Sequence, residues 1–229
     1  MKATDTFAPE QLGPSAGARS LGILGGTLNP PHLGHLALAR SARAELGLEH
    51  VLLMPAHRPP HKVSSELPSP EQRLRMCELL VADAQGVSAS ALEIERGGAS
   101  YTVDTLQALH AMHPEARLTF IMGADTACTL GSWHEPAQLL ELAELAVATR
   151  SGASRDQVLA TVAAIADLPR SAGTDSKVCF LEMGPIEVSS SLVRERVARG
   201  ESIAQLVGPA VAGYIAAQDL YRTPIEAAS

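Results

Sequence analysis

Short apolar runs alternate along this chain with longer amphipathic stretches, from about residue 20 to residue 217. The apolar runs have the length of strands that are buried on both faces of a parallel sheet. The predicted strands cover residues 21–24, 51–54, 87–95, 118–122, 145–148 and 177–182. Each run ends close to Gly, Pro or a polar residue, which predicts that the strands are separate elements joined by turns and helices.

The stretches between these runs carry apolar residues at helical spacing, as Leu36 and Ala39 do in the first of them. The predicted helices cover residues 33–46, 70–82, 102–112, 154–167, 190–199 and 208–217. In the second of these helices Ser69 is the expected N-cap and Pro70 the first helical residue. Strands that alternate with helices form parallel βαβ units. The sequence therefore predicts an α/β fold, a Rossmann-like open parallel sheet with helices on both faces, in one domain with a small C-terminal helical part.

The composition is consistent with one globular domain behind a short leader. Residues 1–19 mix Pro, Gly, Ser and Ala without periodicity, which predicts a mobile leader, and residues 20–229 are the predicted domain. Hydrophobic residues make up 46% and charged residues 19% of the 229 residues, as is typical of globular proteins. The formal net charge of −7 argues against sequence-independent binding of nucleic acid, which depends on a basic surface.

The cysteines and the apolar runs bear on the expected compartment. Cys77, Cys128 and Cys179 are odd in number and widely spaced, which favours a reducing compartment over a disulfide framework or a zinc ribbon. The sequence shows no run of eighteen apolar residues and no signal-peptide pattern. We therefore expect a cytoplasmic protein that does not insert into membranes. The sequence does not determine the oligomeric state, and a homo-oligomer is possible.

Residues 25–35, which read GGTLNPPHLGH, join the first predicted strand to the first predicted helix. Gly25 and Gly26 would let the backbone approach a phosphate closely, and the helix behind them offers free N–H groups and a positive dipole end. His32 and His35 are one helical turn apart, so both can face the same anion. Taken alone, the segment is also compatible with a structural turn that carries two surface histidines, or with a metal-binding HxxH pair.

A second polar segment, SSSLVR at residues 189–194, follows the last predicted strand. Hydroxyl groups at a helix start, with Arg194 one turn later, can bind an anion. An ordinary serine N-cap with a solvated arginine is the alternative for this segment alone.

Together the two segments resemble the GGTFDPxHxGH and ISSTxIR motifs of the nucleotidylyltransferases. Leu28 stands where the family usually has Phe, Asn29 where it has Asp, and Ser191 where it has Thr. The resemblance implies catalytic roles for His35, His32 and Arg194. The ATP-binding residues it implies are Gly25, Gly26, Thr27, His32, His35, Ser189, Ser191 and Arg194.

Four further segments resemble the bacterial nicotinate-nucleotide adenylyltransferases, and the similarity then extends over roughly residues 21–222. They are MPAHRPPHK at 54–62, SYTVDTL at 100–106, GAD followed by LGSW between 123 and 133, and the arginine after the strand at 145–148. The nicotinate-nucleotide site implied by this resemblance contains Lys62, Tyr101, Thr102, Asp125, Trp133 and Arg150. The segment after Arg150 lacks the family's usual Pro and Tyr. Taken singly, these residues could instead form a stiff loop, a helix cap or core packing.

The resemblance implies a transferase that joins the AMP part of ATP to nicotinate mononucleotide and releases pyrophosphate, as in NAD biosynthesis. Mg²⁺ is the expected counter-ion of ATP, and no dedicated protein metal site is expected. Two alternatives stay open: a related transferase with another phosphate acceptor, and a non-catalytic nucleotide sensor. A zinc hydrolase built on His32 and His35 is disfavoured, because the sequence offers no third ligand at a recognisable spacing.

Overall fold

The computed structural model describes residues 17–59, 68–149, 155–166, 177–182, 184 and 188–222. In these ranges one sheet contains six strands in the order β3-β2-β1-β4-β5-β6, and every neighbouring pair is parallel. The strands are β1 (Ser20–Gly26), β2 (His50–Pro55), β3 (Val87–Ala89), β4 (Arg117–Gly123), β5 (Ala143–Ala148) and β6 (Val178–Leu181). The predicted α/β class and open parallel sheet are therefore confirmed.

The helices lie on both faces of this sheet. They are α1 (Leu33–Leu46), α2 (Pro70–Val81), α3 (Leu92–Arg96), α4 (Thr102–Met112), α5 (Ala124–Ala127), α6 (Pro136–Leu142), α7 (Arg155–Ile165), α8 (Ser190–Ala198), α9 (Ala204–Val207) and α10 (Pro209–Ala217). The bounds predicted for α1 and α4 agree with the structure at both ends. The predicted cap of α2 is also confirmed, because the Ser69 hydroxyl accepts a hydrogen bond from the Gln72 amide at 3.2 Å.

The strands carry two apolar cores, one on each face of the sheet. Leu24 of β1 faces the core beneath α1, α2 and α8–α10, whereas Leu21 and Ile23 face the core beneath α4, α6 and α7. Gly22 lies on the first of these faces, where an added Cβ would come within 2.9 Å of Val51 and Ile121 side chains. Close packing at the centre of the sheet therefore requires a glycine at this position.

The central strands β1 and β4 pair with each other. After β1 the chain continues to β2 and β3 on one side, and after β4 it continues to β5 and β6 on the other side. In open parallel sheets such a reversal of strand order opens a crevice beyond the carboxyl ends of the two strands, where ligands bind. The loops after β1, β2 and β4 meet at this edge, so the fold brings together the segments that the sequence analysis selected.

The predicted strand at 87–95 is wrong beyond Ala89. The Ser90 hydroxyl accepts a hydrogen bond from the Leu92 amide, and the chain then turns into α3. The alternation of small apolar and polar residues in this segment fits a strand and a short helix equally well, and contacts distant in sequence decide between them. Other short elements were also missed. They are α5, α6, α9 and the 3-10 turn Leu130–Ser132.

The predicted leader falls outside the described residues up to residue 16. The described part of the chain begins at residue 17, where Ala18 is buried and the Arg19 amide donates to the Glu49 carboxylate at 3.0 Å. Within the described part of the chain, no helix is both long enough and apolar enough to cross a membrane.

Candidate active site

The loop after β1 leads directly into α1, and His32 is the N-cap of this helix. The His32 ring is buried and lies 3.7 Å from the His35 ring, measured between centroids. The His32 amide donates to Nδ1 of His35 at 3.2 Å. A ring nitrogen that accepts a hydrogen bond carries no proton, so this contact places the proton of neutral His35 on Nε2. In this tautomer Nε2–H is a hydrogen-bond donor.

Gly34 makes this arrangement of the two histidines sterically feasible. A Cβ built on Gly34 would lie 2.9 Å from Cγ1 of Val188 and 3.0 Å from Nδ1 of His32. The glycine between the two histidines is therefore required because the His32 ring and the chain before α8 pack against it.

The fold brings α8 against the same loop, although the two segments are about 160 residues apart. Arg194 donates from Nη1 to the Asn29 carbonyl oxygen at 2.7 Å and from Nη2 to the Ser191 hydroxyl at 3.0 Å. The Ser190 hydroxyl donates to the Pro30 carbonyl oxygen at 2.8 Å. Ser189 is the N-cap of α8, as the sequence suggested. Ser190 was not predicted, yet it is the serine that links α8 to the histidine loop.

Asn29, which stands where the family has an acid, has a partner in the C-terminal segment. The Tyr221 hydroxyl donates to Oδ1 of Asn29 at 2.6 Å. Burial raises the pKa of the Tyr221 phenol, so the phenol stays a donor throughout the neutral range. A neutral amide oxygen satisfies this donor, and the departure from the family pattern is compatible with a well-packed loop.

A cleft of about 380 Å³ opens beside this loop at the carboxyl ends of the strands. Gly25, Gly26 and Thr27 line the cleft where β1 ends, and Tyr101 and Thr102 line it at the N-terminus of α4. The first N–H groups of a helix lack intrahelical partners and favour anions. The Gly25–Thr27 part of the lining therefore suits phosphates, and the part at the start of α4 suits a carboxylate or another anion.

Trp133 supplies the aromatic surface of the cleft. Its ring packs edge-on against Phe120 with centroids 6.0 Å apart, and Nε1 donates to the Thr129 hydroxyl at 3.3 Å. The His134 ring lies 4.4 Å from the Tyr101 ring and also lines the cleft. His134 is itself largely exposed, with a relative side-chain exposure of 49%. The motifs gave no signal for it, because its position depends on where the loop after β4 meets α4.

Glu93 is a second cleft residue that sequence reasoning missed. It is buried on α3, and its Oε1 accepts a hydrogen bond from the Thr105 hydroxyl at 2.6 Å. Burial raises the pKa of Glu93, while hydrogen bonds from Thr105 and Ser100 act in the opposite direction. A carboxylate beneath the start of α4 holds the segment that carries Tyr101.

The remaining residues predicted for the nucleotide site have different placements. Asp125 is exposed on α5 and is not among the residues that line the cleft, whereas its neighbour Thr126 is. Lys62 and Arg150 lie outside the described residues. Among the side chains that are described, no group of three or more His, Cys, Asp or Glu residues could hold a metal ion.

Comparison with known proteins gives matches along most of the chain. The cytidylyltransferase-like family model matches residues 23–196. A protein of Geobacillus thermodenitrificans, described as a probable nicotinate-nucleotide adenylyltransferase, is 38% identical over 201 residues, or 88% of this chain and 85% of that protein. A protein of Herpetosiphon aurantiacus with the same description is 39% identical over 202 residues, or 88% of this chain and 98% of that protein.

Solved structures share the fold. The Plasmodium falciparum nicotinic acid mononucleotide adenylyltransferase complexed with NaAD superposes with a TM-score of 0.69. The match covers 89% of this chain and 97% of that chain at 18% identity.

Proposed function

Because this chain belongs to the cytidylyltransferase-like family and, within it, to the nicotinate-nucleotide adenylyltransferases, we propose that it transfers AMP from ATP to nicotinate mononucleotide. The products are nicotinate adenine dinucleotide and pyrophosphate, as in NAD biosynthesis. The observation that supports this reaction best is the shared cleft. The Gly25–Thr27 side suits the phosphates of ATP, and the side with Trp133 and the start of α4 suits a pyridine ring with a carboxylate.

On the ATP side, the proposal assigns the α-phosphate to the backbone of Gly25, Gly26 and Thr27 and to Nε2–H of His35. The His35 ring is held before the substrate binds, because the His32 amide donates to its Nδ1. Arg194 is assigned to the departing pyrophosphate. A planar guanidinium can keep its loop contact with one nitrogen and reach a phosphate with another.

On the acceptor side, the proposal places the pyridine ring against the face of Trp133, whose edge is held by Thr129. The ring carboxylate then lies near the N-terminus of α4, beside Tyr101 and Thr102, where backbone N–H groups and the helix dipole favour negative charge. The His134 ring, tilted by 39° against Tyr101, also lines this part of the cleft. The proposal gives Lys62 and Arg150 the remaining contacts with the mononucleotide.

In the reaction, a phosphate oxygen of the mononucleotide forms a bond to the α-phosphorus of ATP as the bond to the bridging pyrophosphate oxygen breaks. That oxygen is already ionised near neutral pH, so no residue has to remove a proton from it. The protein contributes by positioning and by stabilising the charge that develops on the phosphoryl oxygens. Mg²⁺ is proposed as the counter-ion of ATP, held by phosphate and water oxygens, because the side chains around the loop are imidazole, guanidinium and hydroxyl groups.

The test is pyrophosphate release from ATP with three acceptors measured in parallel: nicotinate mononucleotide, its amide analogue and phosphopantetheine. We expect pyrophosphate release with nicotinate mononucleotide and none with phosphopantetheine. With the amide analogue kcat/KM should be at least about tenfold lower, because a donor that binds a carboxylate oxygen would face an NH₂ group. Preference for phosphopantetheine would show a transferase with another acceptor, and ATP binding without release would show a nucleotide sensor. The cytoplasmic location stays a prediction that cell fractionation can test, and light scattering can determine the oligomeric state.

A further inference from the structure

Arg73 on α2 is a fully buried guanidinium close to the cleft, with a relative exposure of 1%. It contacts three backbone carbonyl oxygens: Nη1 donates to Thr27 at 2.8 Å, Nη2 to His57 at 3.0 Å and Nε to Pro68 at 3.4 Å. Among the ion pairs of the described residues there is none that includes Arg73. Burial of a charge without a direct ion-pair partner is costly. Desolvation lowers the pKa of Arg73, and attraction to Glu71 and Glu93 opposes this shift only in part.

The two strong acceptors lie on the loops that follow neighbouring strands. The Ala56 amide still donates to the Gly26 carbonyl oxygen at 2.9 Å, which extends the pairing of β1 and β2. Beyond this contact the first loop continues into α1, whereas Arg58 of the second loop pairs with Ala99 in the chain before α4. Arg73 therefore connects the two loops one residue beyond their last backbone hydrogen bond.

The bridge also fixes the direction of the peptide groups in the first loop. In a planar trans peptide the N–H points away from the carbonyl of the preceding residue. The Gly26 and Thr27 carbonyl oxygens accept hydrogen bonds from Ala56 and Arg73. The N–H groups of Thr27 and Leu28 consequently point the opposite way.

The second loop connects Arg73 to the acceptor side of the cleft. The His57 amide donates to the Ser100 hydroxyl at 2.9 Å, and the Ser100 amide donates to the Arg58 carbonyl oxygen at 2.9 Å. Ser100 directly precedes Tyr101 at the start of α4. One guanidinium thus links Thr27 to the segment that carries Tyr101, and both of these residues line the cleft.

We propose that Arg73 is a positioning residue that sets the separation and orientation of the two substrate subsites, through the Thr27 and His57 carbonyl oxygens. The inference rests on the proposed function, because it concerns the distance between the attacking phosphate and the α-phosphorus. A misplacement of about 1 Å can cost on the order of 10²-fold in rate. Lysine keeps the charge but offers no planar fork, so it cannot hold both carbonyl oxygens in the same geometry.

The experiment compares Arg73→Lys and Arg73→Met with two controls on α2. Arg75→Met makes the same substitution at a partly exposed position, where the native side chain pairs with Glu78 at 3.0 Å. Met76→Ala removes a buried side chain from the core and controls for lost stability. Steady-state kinetics for both substrates, thermal unfolding and amide hydrogen exchange of residues 26–28 and 56–58 are measured for each protein.

We expect both Arg73 variants to lose at least about tenfold in kcat/KM, to raise the KM of both substrates, and to exchange faster in both loops. Met76→Ala should lower the unfolding midpoint with both KM values unchanged, because partial unfolding reduces only the active fraction. Arg75→Met should behave like the parent protein.

Faster exchange in both loops of Arg73→Lys supports the positioning role even if Arg73→Met fails to fold. The inference is overturned if the Arg73 variants keep parental KM values and loop exchange. A parent protein that releases no pyrophosphate would instead overturn the proposed function, and the inference with it.

Discussion

Adding one methyl group at Gly34 is expected to disturb the paired histidines more than the stability of the fold. The Cβ of Gly34→Ala would meet Cγ1 of Val188 at 2.9 Å and Nδ1 of His32 at 3.0 Å. The His32 ring would have to move by about 0.4 Å to reach the ordinary contact distance of 3.4 Å. The ring is buried and packs against His35, so this displacement is transmitted to the second histidine.

The effect on stability is a difference between two opposing contributions. Overpacking of a buried site costs about 1–3 kcal/mol. Replacing Gly by Ala in a helix contributes about 0.5–1 kcal/mol in the stabilising direction. The net loss at Gly34 is therefore at most about 2.5 kcal/mol, which lowers Tm by up to about 10 °C in a domain of this size. For activity, a shift of several tenths of an ångström at preorganised donors should lower kcat by roughly tenfold.

Gly213 provides the matched control. It lies on α10 with nothing within 4 Å of its added Cβ, so Gly213→Ala should raise Tm slightly and leave kcat unchanged. Both variants and the parent protein are compared by thermal unfolding and by pyrophosphate release with nicotinate mononucleotide. Parental kcat in a folded Gly34→Ala protein would refute the argument that Gly34 serves the histidine geometry.

Four further substitutions test separate parts of the site. His35→Ala should lower kcat by about 10²-fold or more in a folded protein, because a preorganised donor is lost; near-parental turnover would remove His35 from catalysis. Arg194→Lys should reduce kcat/KM for ATP at least about tenfold, since lysine cannot hold Asn29 and Ser191 together, and full activity would reduce the contact to a diffuse charge effect. Trp133→Ala should raise KM for nicotinate mononucleotide about tenfold and spare that for ATP; equal changes in both KM values would contradict ring stacking. Burial raises the pKa of Glu93, so the ionised group is less favourable in the folded than in the unfolded protein. The free energy of unfolding is therefore highest at low pH, where Glu93 is protonated in both states, and falls as pH rises through the folded-state pKa. The Tm of Glu93→Gln relative to the parent should accordingly be higher at about pH 8 than at about pH 5, and a pH-independent difference would contradict the assignment.

The chain itself carries the information for the local elements and for the residue types at the site. The bounds of α1 and α4 follow from apolar spacing, and the cap of α2 follows from Ser69 and Pro70, because these signals act within one or two turns. The residues of the histidine loop and of the α8 start could likewise be selected by chemistry, and the fold then brings them together. Where local pattern is ambiguous, as after Ala89, the same reasoning fails.

Only the tertiary structure reveals the groups that hold the site in place. In the sequence Arg73 and Glu93 look like ordinary charged positions, and Tyr221 looks like the end of a helix. The fold brings Arg73 to Thr27, Glu93 to Thr105 and Tyr221 to Asn29. His134 lines the cleft because the loop after β4 meets the start of α4. Periodicity and capping are short-range properties of the chain, whereas these contacts depend on how the crossovers order β1, β2 and β4 in the sheet. A buried polar group must find its partner wherever the fold supplies one, and that choice is made by packing.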